Sequence, residues 1–164
     1  MIKDSGTRRE FSTGAVRDVA EGKGRCDLLP LDIIANLLHD KILEHIDRYV
    51  RTGDLSNLYV VISIFIREHY EHKPFTAILE LSKHYEEGSA KYPGNGGRNW
   101  ELGIPSHCFI DSGVRHYLKF KRNDGDECHN RAFLWNMFGA IWTHLHHPEL
   151  IDLPFVQNNE EKEE

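Results

Sequence analysis

The stretch Leu58-Tyr-Val-Val-Ile-Ser-Ile-Phe-Ile66 is the longest apolar run of the chain, and its conformation decides the fold class. It has nine residues, whereas a helix needs about 20 apolar residues to cross a bilayer. Its Val, Ile and Phe residues suit a buried strand as well as a buried helix, because periodicity does not separate the two over so short a run. Few other segments alternate with a period of two, so the rest of the chain favours helices.

The sequence around this run predicts an all-α bundle of about five helices. Pro30 and Asp32 mark the start of the first predicted helix, which carries apolar residues at helical spacing. Thr52-Gly-Asp54 marks its end. The other helices are predicted over roughly residues 55–71, 75–91, 106–121 and 127–147.

Composition and charge divide the chain into three segments. We expect a Gly- and Arg-rich loop segment over residues 1–30 that packs on the bundle, a helical domain over 31–150 and an acidic tail over 151–164. The net charge is −6, of which the last five residues contribute −3 through four acids and one base, so the remainder carries −3. Nucleic-acid-binding surfaces are basic, so nucleic acid is not an expected partner. Residues 1–10 lack the apolar core of a signal peptide, which predicts a cytoplasmic protein without membrane association.

Carboxylates lie at the ends of two predicted helices. Glu86 and Glu87 end the third helix, and Asp126 and Glu127 begin the fifth. Oxygen ligands that converge from two helices of a bundle are what Mg²⁺ or Mn²⁺ requires. The structural alternative is that Asp126 and Glu127 complement the dipole of the helix that they begin.

Two polar pairs have helical spacing. Asp111 and Arg115 are four residues apart, so they can form an ordinary surface ion pair or present an acid to a metal and a guanidinium to a phosphate. His129 and Asn136 are seven residues apart on the last predicted helix and share a face. Because the small Ala132 lies between them, this pair either leaves room for a ligand or forms a hydrogen-bonded contact inside the bundle.

Two glycine-rich segments are candidates for binding an anion. In Lys91-Tyr-Pro-Gly-Asn-Gly-Gly-Arg-Asn-Trp100 the glycines let backbone N–H groups approach a phosphate. The Lys and Arg of this segment add charge, and its Tyr or Trp can stack on a base. Gly22-Lys-Gly-Arg25 is a second candidate of the same kind. Each segment taken alone is also consistent with a solvated loop.

Two histidine motifs carry less information. His39-Asp40 has the dipeptide of metal-dependent HD phosphohydrolases, but a single occurrence on an amphipathic helix is weak evidence. His144-Leu-His-His147 can bind transition metals opportunistically and is interpreted as the polar end of a helix. We base no function on either motif.

The motifs between residues 88 and 136 resemble a known family. They are Gly-x-x-Lys-Tyr, Asn-Trp-x-x-Gly-Ile-Pro, Asp-x-x-x-Arg-His and His-x-x-x-x-x-Trp-Asn, with the residues Gly88, Lys91, Tyr92, Asn99, Trp100, Gly103, Ile104, Pro105, Asp111, Arg115, His116, His129, Trp135 and Asn136. This pattern resembles the N-terminal domain of dATP/dGTP diphosphohydrolases of phages and prophages, a family related to the MazG-like all-α NTP pyrophosphatases. The resemblance covers roughly residues 14–150, including the opening Gly22-Lys-Gly-Arg-Cys-Asp-Leu-Leu-Pro30, with a divergent helical insertion around 40–72.

The resemblance implies that the helical domain binds a (deoxy)purine nucleoside triphosphate and hydrolyses it to monophosphate and pyrophosphate. In this chemistry carboxylates hold Mg²⁺ or Mn²⁺, which neutralises the phosphates and activates water. The implied metal ligands are Glu86, Asp111 and Glu127, and the implied catalytic residues are His129, Glu127 and Asp111. The implied nucleotide-binding residues are Lys23, Arg25, Lys91, Tyr92, Arg98, Asn99, Trp100, Arg115, His116 and Asn136.

A departure from the family pattern leaves other functions open. The MazG signature of Glu-Glu-x-x-Glu and then Glu-x-x-Asp is represented here by Glu86-Glu-x-x-Ala90 and Glu127-x-x-Asn130, each of which lacks one carboxylate. A site that binds metal weakly can hold a nucleotide without cleaving it. One alternative is a non-catalytic phage protein that needs no metal and sequesters a nucleotide immune signal, cyclic or ADP-ribose-derived. Another is a helical protein that only binds a partner. Related bundles complete their sites at subunit contacts, so we also expect a homo-oligomer.

Overall fold

The computed structural model describes residues 6–156 and is almost entirely helical. Six α-helices of eight or more residues lie in this range: α1 Leu31–Leu38, α2 Lys41–Thr52, α3 Ser56–His69, α4 Pro74–Lys91, α5 Ser106–Lys121 and α6 His129–His146. Two short strands, β1 Arg8–Glu10 and β2 Val16–Asp18, pair antiparallel near the N-terminus. The predicted all-α class is confirmed, and the structure has one helix more than the five expected. The end of the predicted acidic tail, from residue 157 onward, lies outside the described residues.

The additional helix arises because the chain turns at His39-Asp40, so the single helix predicted from Pro30 to Thr52 is wrong. His39 adopts a left-handed conformation with φ of 52° and ends α1. Asp40 then begins α2 by accepting a hydrogen bond from the backbone N–H of Leu43 at 3.0 Å. Its other carboxylate oxygen accepts from the Tyr117 hydroxyl at 2.6 Å. The Asp40 carboxylate therefore caps the start of α2 and links it to α5.

The apolar run over residues 58–66 lies within α3, which settles the choice between strand and helix. Leu58, Val61 and Phe65 are fully buried and recur at intervals of three and four residues, as expected for one face of a helix. The Phe65 ring lies 4.7 Å from that of Phe133 on α6. Burial against a neighbouring helix therefore stabilises this β-branched sequence as a helix.

Helices α5 and α6 lie close together because each presents a glycine to the other. A Cβ atom on Gly113 would lie 2.5 Å from the Met137 side chain, and one on Gly139 would overlap the ring of Phe109. Both of these contacting side chains are buried. The close packing fixes the relative positions of the polar side chains that the two helices carry.

The N-terminal segment folds against the bundle as a short hairpin, whereas its glycine content predicts a loop. Ala15 is fully buried, and the Thr13 hydroxyl donates to the Gly103 carbonyl oxygen at 2.6 Å. The backbone N–H of Val16 donates to Asn99 Oδ1, and its carbonyl oxygen accepts from Asn99 Nδ2, both at 2.8 Å. These contacts hold the hairpin over one side of the helices. Within residues 6–156, no helix is long and apolar enough to span a bilayer.

Candidate functional site

A cavity of about 370 Å³ lies between the N-terminal segment and helices α4, α5 and α6. Its volume falls within the range of about 300–1,000 Å³ that is usual for small-molecule sites. Ten of the residues predicted for the site line this cavity: Lys23, Lys91, Tyr92, Asn99, Trp100, Asp111, Arg115, His116, Glu127 and Asn136. The structure therefore brings together motifs that lie far apart in the sequence.

The other four predicted site residues do not line the cavity. Arg25 and Arg98 are exposed, and each is paired with a neighbouring acid. Glu86 lies on the exposed side of α4. His129 is buried behind the cavity wall, at 2% exposure. Because Glu86 points away, the three predicted metal ligands are not brought to one place.

The lining of the cavity carries an excess of positive charge. Among the described residues, six cationic side chains line it against three acidic ones. The cations are Arg9, Arg17, Lys23, Lys91, Arg115 and Lys119, and the acids are Asp18, Asp111 and Glu127. Such an excess in a concave site attracts anions, as expected for a ligand with several phosphates.

Arg17 of β2 presents an unpaired donor within this lining. Its guanidinium carbon lies 5.2 Å from the ring centroids of both Phe109 and Trp135, and Nη2 donates to Asn136 Oδ1 at 3.1 Å. Its Nη1 atom is buried and has no hydrogen-bond partner within the described residues. Burial lowers the pKa of Arg17 from its ordinary value, but a guanidinium stays charged in proteins. Nη1 is therefore suited to an anionic oxygen, because a buried charged donor without a partner is costly.

Lys91 and Tyr92 reach the cavity but are bound to Asp18 of β2. Lys91 Nζ donates to Asp18 Oδ2 at 2.8 Å, and the Tyr92 hydroxyl donates to Oδ1 at 3.1 Å. Arg8 forms an ion pair with the same carboxylate at 2.8 Å. Burial raises the pKa of Asp18, but the hydrogen bond and charge of Lys91 outweigh it and hold that pKa below its ordinary value. Asp18 is therefore ionised and joins the hairpin to α4.

Asp111 and Arg115 pair with each other and position the second glycine-rich segment. Asp111 Oδ2 accepts a hydrogen bond from Arg115, and Oδ1 accepts from the backbone N–H of Cys26 at 2.7 Å. Arg115 also donates to the carbonyl oxygens of Lys23 and Gly24, at 3.2 and 3.1 Å. The pair thereby places the Lys23 side chain at the cavity, where its ammonium group has no hydrogen bond or ion pair within the described residues.

Aromatic side chains form another wall of the cavity. The Tyr85 ring lies 5.7 Å from that of Trp100 and 6.4 Å from that of Trp135. Such rings provide a surface on which a nucleobase can stack. His84 lies beside them, 5.9 Å from Trp135, and burial lowers its pKa to about 4. The His84 imidazole is therefore neutral at pH 7.

His116, Glu127 and His129 bring three possible metal-ligand atoms together. His116 Nδ1 lies 3.0 Å from His129 Nδ1 and 3.0 Å from Glu127 Oε1, and the latter two atoms are 3.6 Å apart. Two imidazoles and a carboxylate are suitable ligands for a divalent ion. Of the two ions that the resemblance implies, these residues fit Mn²⁺ better than Mg²⁺, which prefers oxygen ligands alone. The set shares Glu127 with the predicted one, but it includes two histidines in place of Glu86 and Asp111.

Several lining residues were not predicted from the sequence, among them Arg9, Arg17, Asp18, His84, Tyr85 and Lys119. The first three lie on strands of three residues, which are too short for an alternating pattern to be recognised. His84 did leave a signal, because it shares a helical face with Gly88 and Lys91 at intervals of four and three residues. All three of these α4 residues line the cavity.

The fold and the site define an all-α protein with a cationic cavity beside a histidine–carboxylate cluster. The family model described as dATP/dGTP diphosphohydrolase, N-terminal, matches residues 65–152, more than half of the 164-residue chain. The chain therefore belongs to this family. The match includes α4, α5 and α6 but not the hairpin that supplies Arg17, and it is shorter than the range indicated by the motifs. No match was found among curated proteins or solved structures.

Proposed function

We propose that the cavity binds a (deoxy)purine nucleoside triphosphate and hydrolyses it to monophosphate and pyrophosphate with Mg²⁺ or Mn²⁺. The observation that carries this proposal is the cationic lining, in which Arg17 offers a buried donor without a partner within the described residues. Membership of a family of dATP/dGTP diphosphohydrolases supports a related nucleotide hydrolase.

Different residues of the cavity bind the phosphates and the base. Arg17 and Lys23 bind the phosphates, since their charged groups are directed to the cavity and lack an acidic partner there. Tyr85 and Trp100, which contact each other edge to face, offer the base an apolar surface on one side of the cavity. Asn136 orients Arg17 through its hydrogen bond to Nη2. The ligand is thereby fixed with its phosphates near helices α5 and α6.

His116, Glu127 and His129 would hold the divalent ion. When bound, the ion supplies neutralisation of the phosphate charge and activation of water. The neutral imidazole of His84 can accept a hydrogen bond from a water molecule in the cavity.

The proposal is tested by mass spectrometry of the purified protein mixed with a panel of dNTPs and NTPs and with Mg²⁺ or Mn²⁺. We expect monophosphate and pyrophosphate in amounts far above that of the protein. Glu127→Gln should abolish turnover while nucleotide affinity changes little, because the phosphates are held by cations. Arg17→Gln should weaken nucleotide binding roughly tenfold or more, as for loss of a charged hydrogen bond.

Matched controls on α2 separate these effects from general damage to the protein. Glu44→Gln and Arg48→Gln change the same residue types in an exposed ion pair away from the cavity. Both should leave turnover and affinity unchanged. Absence of products from every nucleotide in the panel, with both ions, would contradict hydrolysis.

Sequestration without cleavage is a second candidate function. Two of the three acids in the lining, Asp18 and Asp111, are hydrogen bonded to cationic side chains of the chain itself, and Glu86 lies outside. Few carboxylates therefore remain for a metal-dependent reaction. In this case the ligand would be a nucleotide immune signal, cyclic or ADP-ribose-derived. It would disappear from the filtrate, return intact after heat denaturation and bind equally well with EDTA.

A further inference from the structure

The cluster of His116, Glu127 and His129 is oriented by a fourth side chain. His129 Nε2 lies 2.7 Å from Asp126 Oδ1, and the other oxygen of that carboxylate accepts from Lys119 Nζ at 3.0 Å. A carboxylate at this distance requires a hydrogen on Nε2, so the Nδ1 atom of the neutral ring carries a lone pair. That lone pair is directed toward His116 and Glu127. A carboxylate that orients a histidine in this way is a common outer partner of metal ligands.

His116 Nδ1, Glu127 Oε1 and His129 Nδ1 lie 3.0–3.6 Å from one another. They carry too few hydrogens for each of these close pairs to be joined by a hydrogen bond. His129 Nδ1 has none, the Glu127 carboxylate has none when ionised, and the neutral His116 ring brings at most one to its Nδ1 atom. With both rings neutral, the lone pairs of His129 Nδ1 and Glu127 Oε1 therefore face each other at 3.6 Å, and His116 Nδ1 lies 3.0 Å from each of these atoms. A single cation between them would satisfy all three atoms.

The spacing also suits one ion. Two ligand atoms that are each about 2.1 Å from a metal and subtend 90–109° are roughly 3.0–3.4 Å apart. The observed separations are 3.0, 3.0 and 3.6 Å. His116 and Glu127 also line the cavity, so an ion held here keeps an open side toward a bound ligand.

We propose that His116, Glu127 and His129 form a binding site for one transition-metal ion such as Mn²⁺, Co²⁺ or Zn²⁺, with Asp126 as the positioning residue. Imidazole ligands select these ions, whereas Mg²⁺ prefers oxygen ligands alone. The inference rests on the proposed function, because the bound ion would serve the proposed hydrolysis. It restricts the divalent ion of that reaction to the transition metals. Binding of the ion itself is tested without nucleotide.

A neighbouring group of acids is a competing location. Asp124, Asp126 and His129 also place possible ligand atoms within 4.8 Å of one another. However, Asp124 forms an ion pair with Arg122 at 2.5 Å, and Asp126 forms one with Lys119 at 3.0 Å. These two acids also lie outside the lining of the cavity, whereas His116 and Glu127 of the first group belong to it. Asp124→Asn therefore distinguishes the two locations.

The test is titration of the metal-free full chain with Co²⁺ and Zn²⁺, followed by visible absorption and by calorimetry. We expect one ion per chain, a Co²⁺ absorption band that Zn²⁺ removes, and much weaker binding of Mg²⁺. Asp126→Asn should weaken binding roughly 10- to 100-fold, as is usual for an outer partner. His116→Gln should weaken it more. Circular dichroism of the metal-free variants establishes that they are folded.

Two variants serve as controls. Asp124→Asn should keep the band and the affinity. The double variant H146Q/H147Q removes histidines near the C-terminal end of α6 that can bind metal opportunistically, and it should also keep them. Unchanged binding by folded His116→Gln, loss of binding by Asp124→Asn alone, or Mg²⁺ affinity equal to that of Zn²⁺ would overturn the proposal.

The outcome is separable from that of the proposed hydrolysis. Hydrolysis that runs with Mg²⁺ in a protein that does not bind Co²⁺ would overturn this site and leave the function standing. A protein that binds Co²⁺ through His116 but releases every nucleotide intact would establish the site and contradict hydrolysis.

Discussion

At the scale of single residues, burial determines which charges the cavity offers to a ligand. Arg17 is buried against two aromatic rings and keeps its charge. Its Nη2 atom donates a hydrogen bond to Asn136, whereas Nη1 has no partner within the described residues. His84 is also desolvated, but an imidazole can lose its proton, and its pKa falls to about 4. The same physical effect thus leaves one residue as a cation for phosphate binding and the other as a neutral hydrogen-bonding group.

The low pKa of His84 predicts a loss of stability in mild acid. Above about pH 6.5, His84 is neutral in both the folded and the unfolded chain. As the pH falls below that value, only the unfolded chain takes up the proton, so the free energy of unfolding decreases until the folded pKa near 4 is reached. At pH 5 the cost is about 2 kcal/mol.

Urea denaturation of the wild type and of His84→Gln at pH 7.5 and pH 5 checks this. The wild type should lose about 2 kcal/mol more than the variant between the two values, since the other histidines are common to both proteins. Equal losses in the two proteins would show that His84 does not titrate in this way.

At the scale of elements, polar side chains on the helical part of the chain hold the N-terminal segment in place. Asn99 lies in the turn before α5 and pairs with both backbone groups of Val16. Asp111 accepts from the Cys26 N–H, and Arg115 donates to the carbonyl oxygen of Lys23. Motif residues within the part of the chain that matches the family model therefore position a hairpin and a loop outside the matched residues.

The Asn99 contact predicts how the hairpin responds to a single substitution. Asn99→Ala leaves the N–H and carbonyl groups of Val16 without their side-chain partner, at a cost of about 1–3 kcal/mol in the free energy of unfolding. We expect faster hydrogen exchange at the Val16 amide and weaker nucleotide binding, because Arg17 is the next residue of β2. Denaturation and exchange measured by NMR check both effects.

Asn36→Ala is the matched control for this prediction. Asn36 is exposed on α1, so its replacement should change neither exchange at Val16 nor nucleotide affinity. If Asn99→Ala leaves exchange at Val16 unchanged, the Asn99 contact does not hold the strand.

At the scale of the whole molecule, the described chain leaves apolar side chains uncovered away from the cavity. Leu28, just before α1, and Ile33 and Leu37 within it are 70%, 64% and 75% exposed. Exposed apolar patches of this kind are often sites of protein association. The expected homo-oligomer is therefore proposed to form through α1.

Light scattering after gel filtration tests this proposal. The wild type should elute as a dimer or larger species, and Leu37→Glu should shift it to the monomer, because a charge buried without a partner opposes association. Leu79→Glu changes an equally exposed leucine on α4 and should leave the oligomer intact. A monomeric wild type would remove the proposal, and dissociation by Leu79→Glu alone would move the interface to α4.

Sequence patterns located most of the helices because local signals mark their ends. Pro74 begins α4, and α5 runs from Ser106 to Lys121, as predicted. The turn at His39 could not be recognised in the same way. It depends on Asp40, whose carboxylate accepts from a tyrosine 77 residues later in the chain.

The sequence by itself determined the helical class, the family motifs and ten of the side chains that line the cavity, because periodicity, helix breakers and spacing are local properties. Only the tertiary structure decided which of those side chains remain available to a ligand. Asp111 and Asn99 are occupied by distant backbone groups, whereas Arg17 retains an unpaired donor within the described residues. His116 and His129 meet only because α5 and α6 pack closely. Such pairings depend on contacts between segments far apart in the chain, which local patterns do not encode.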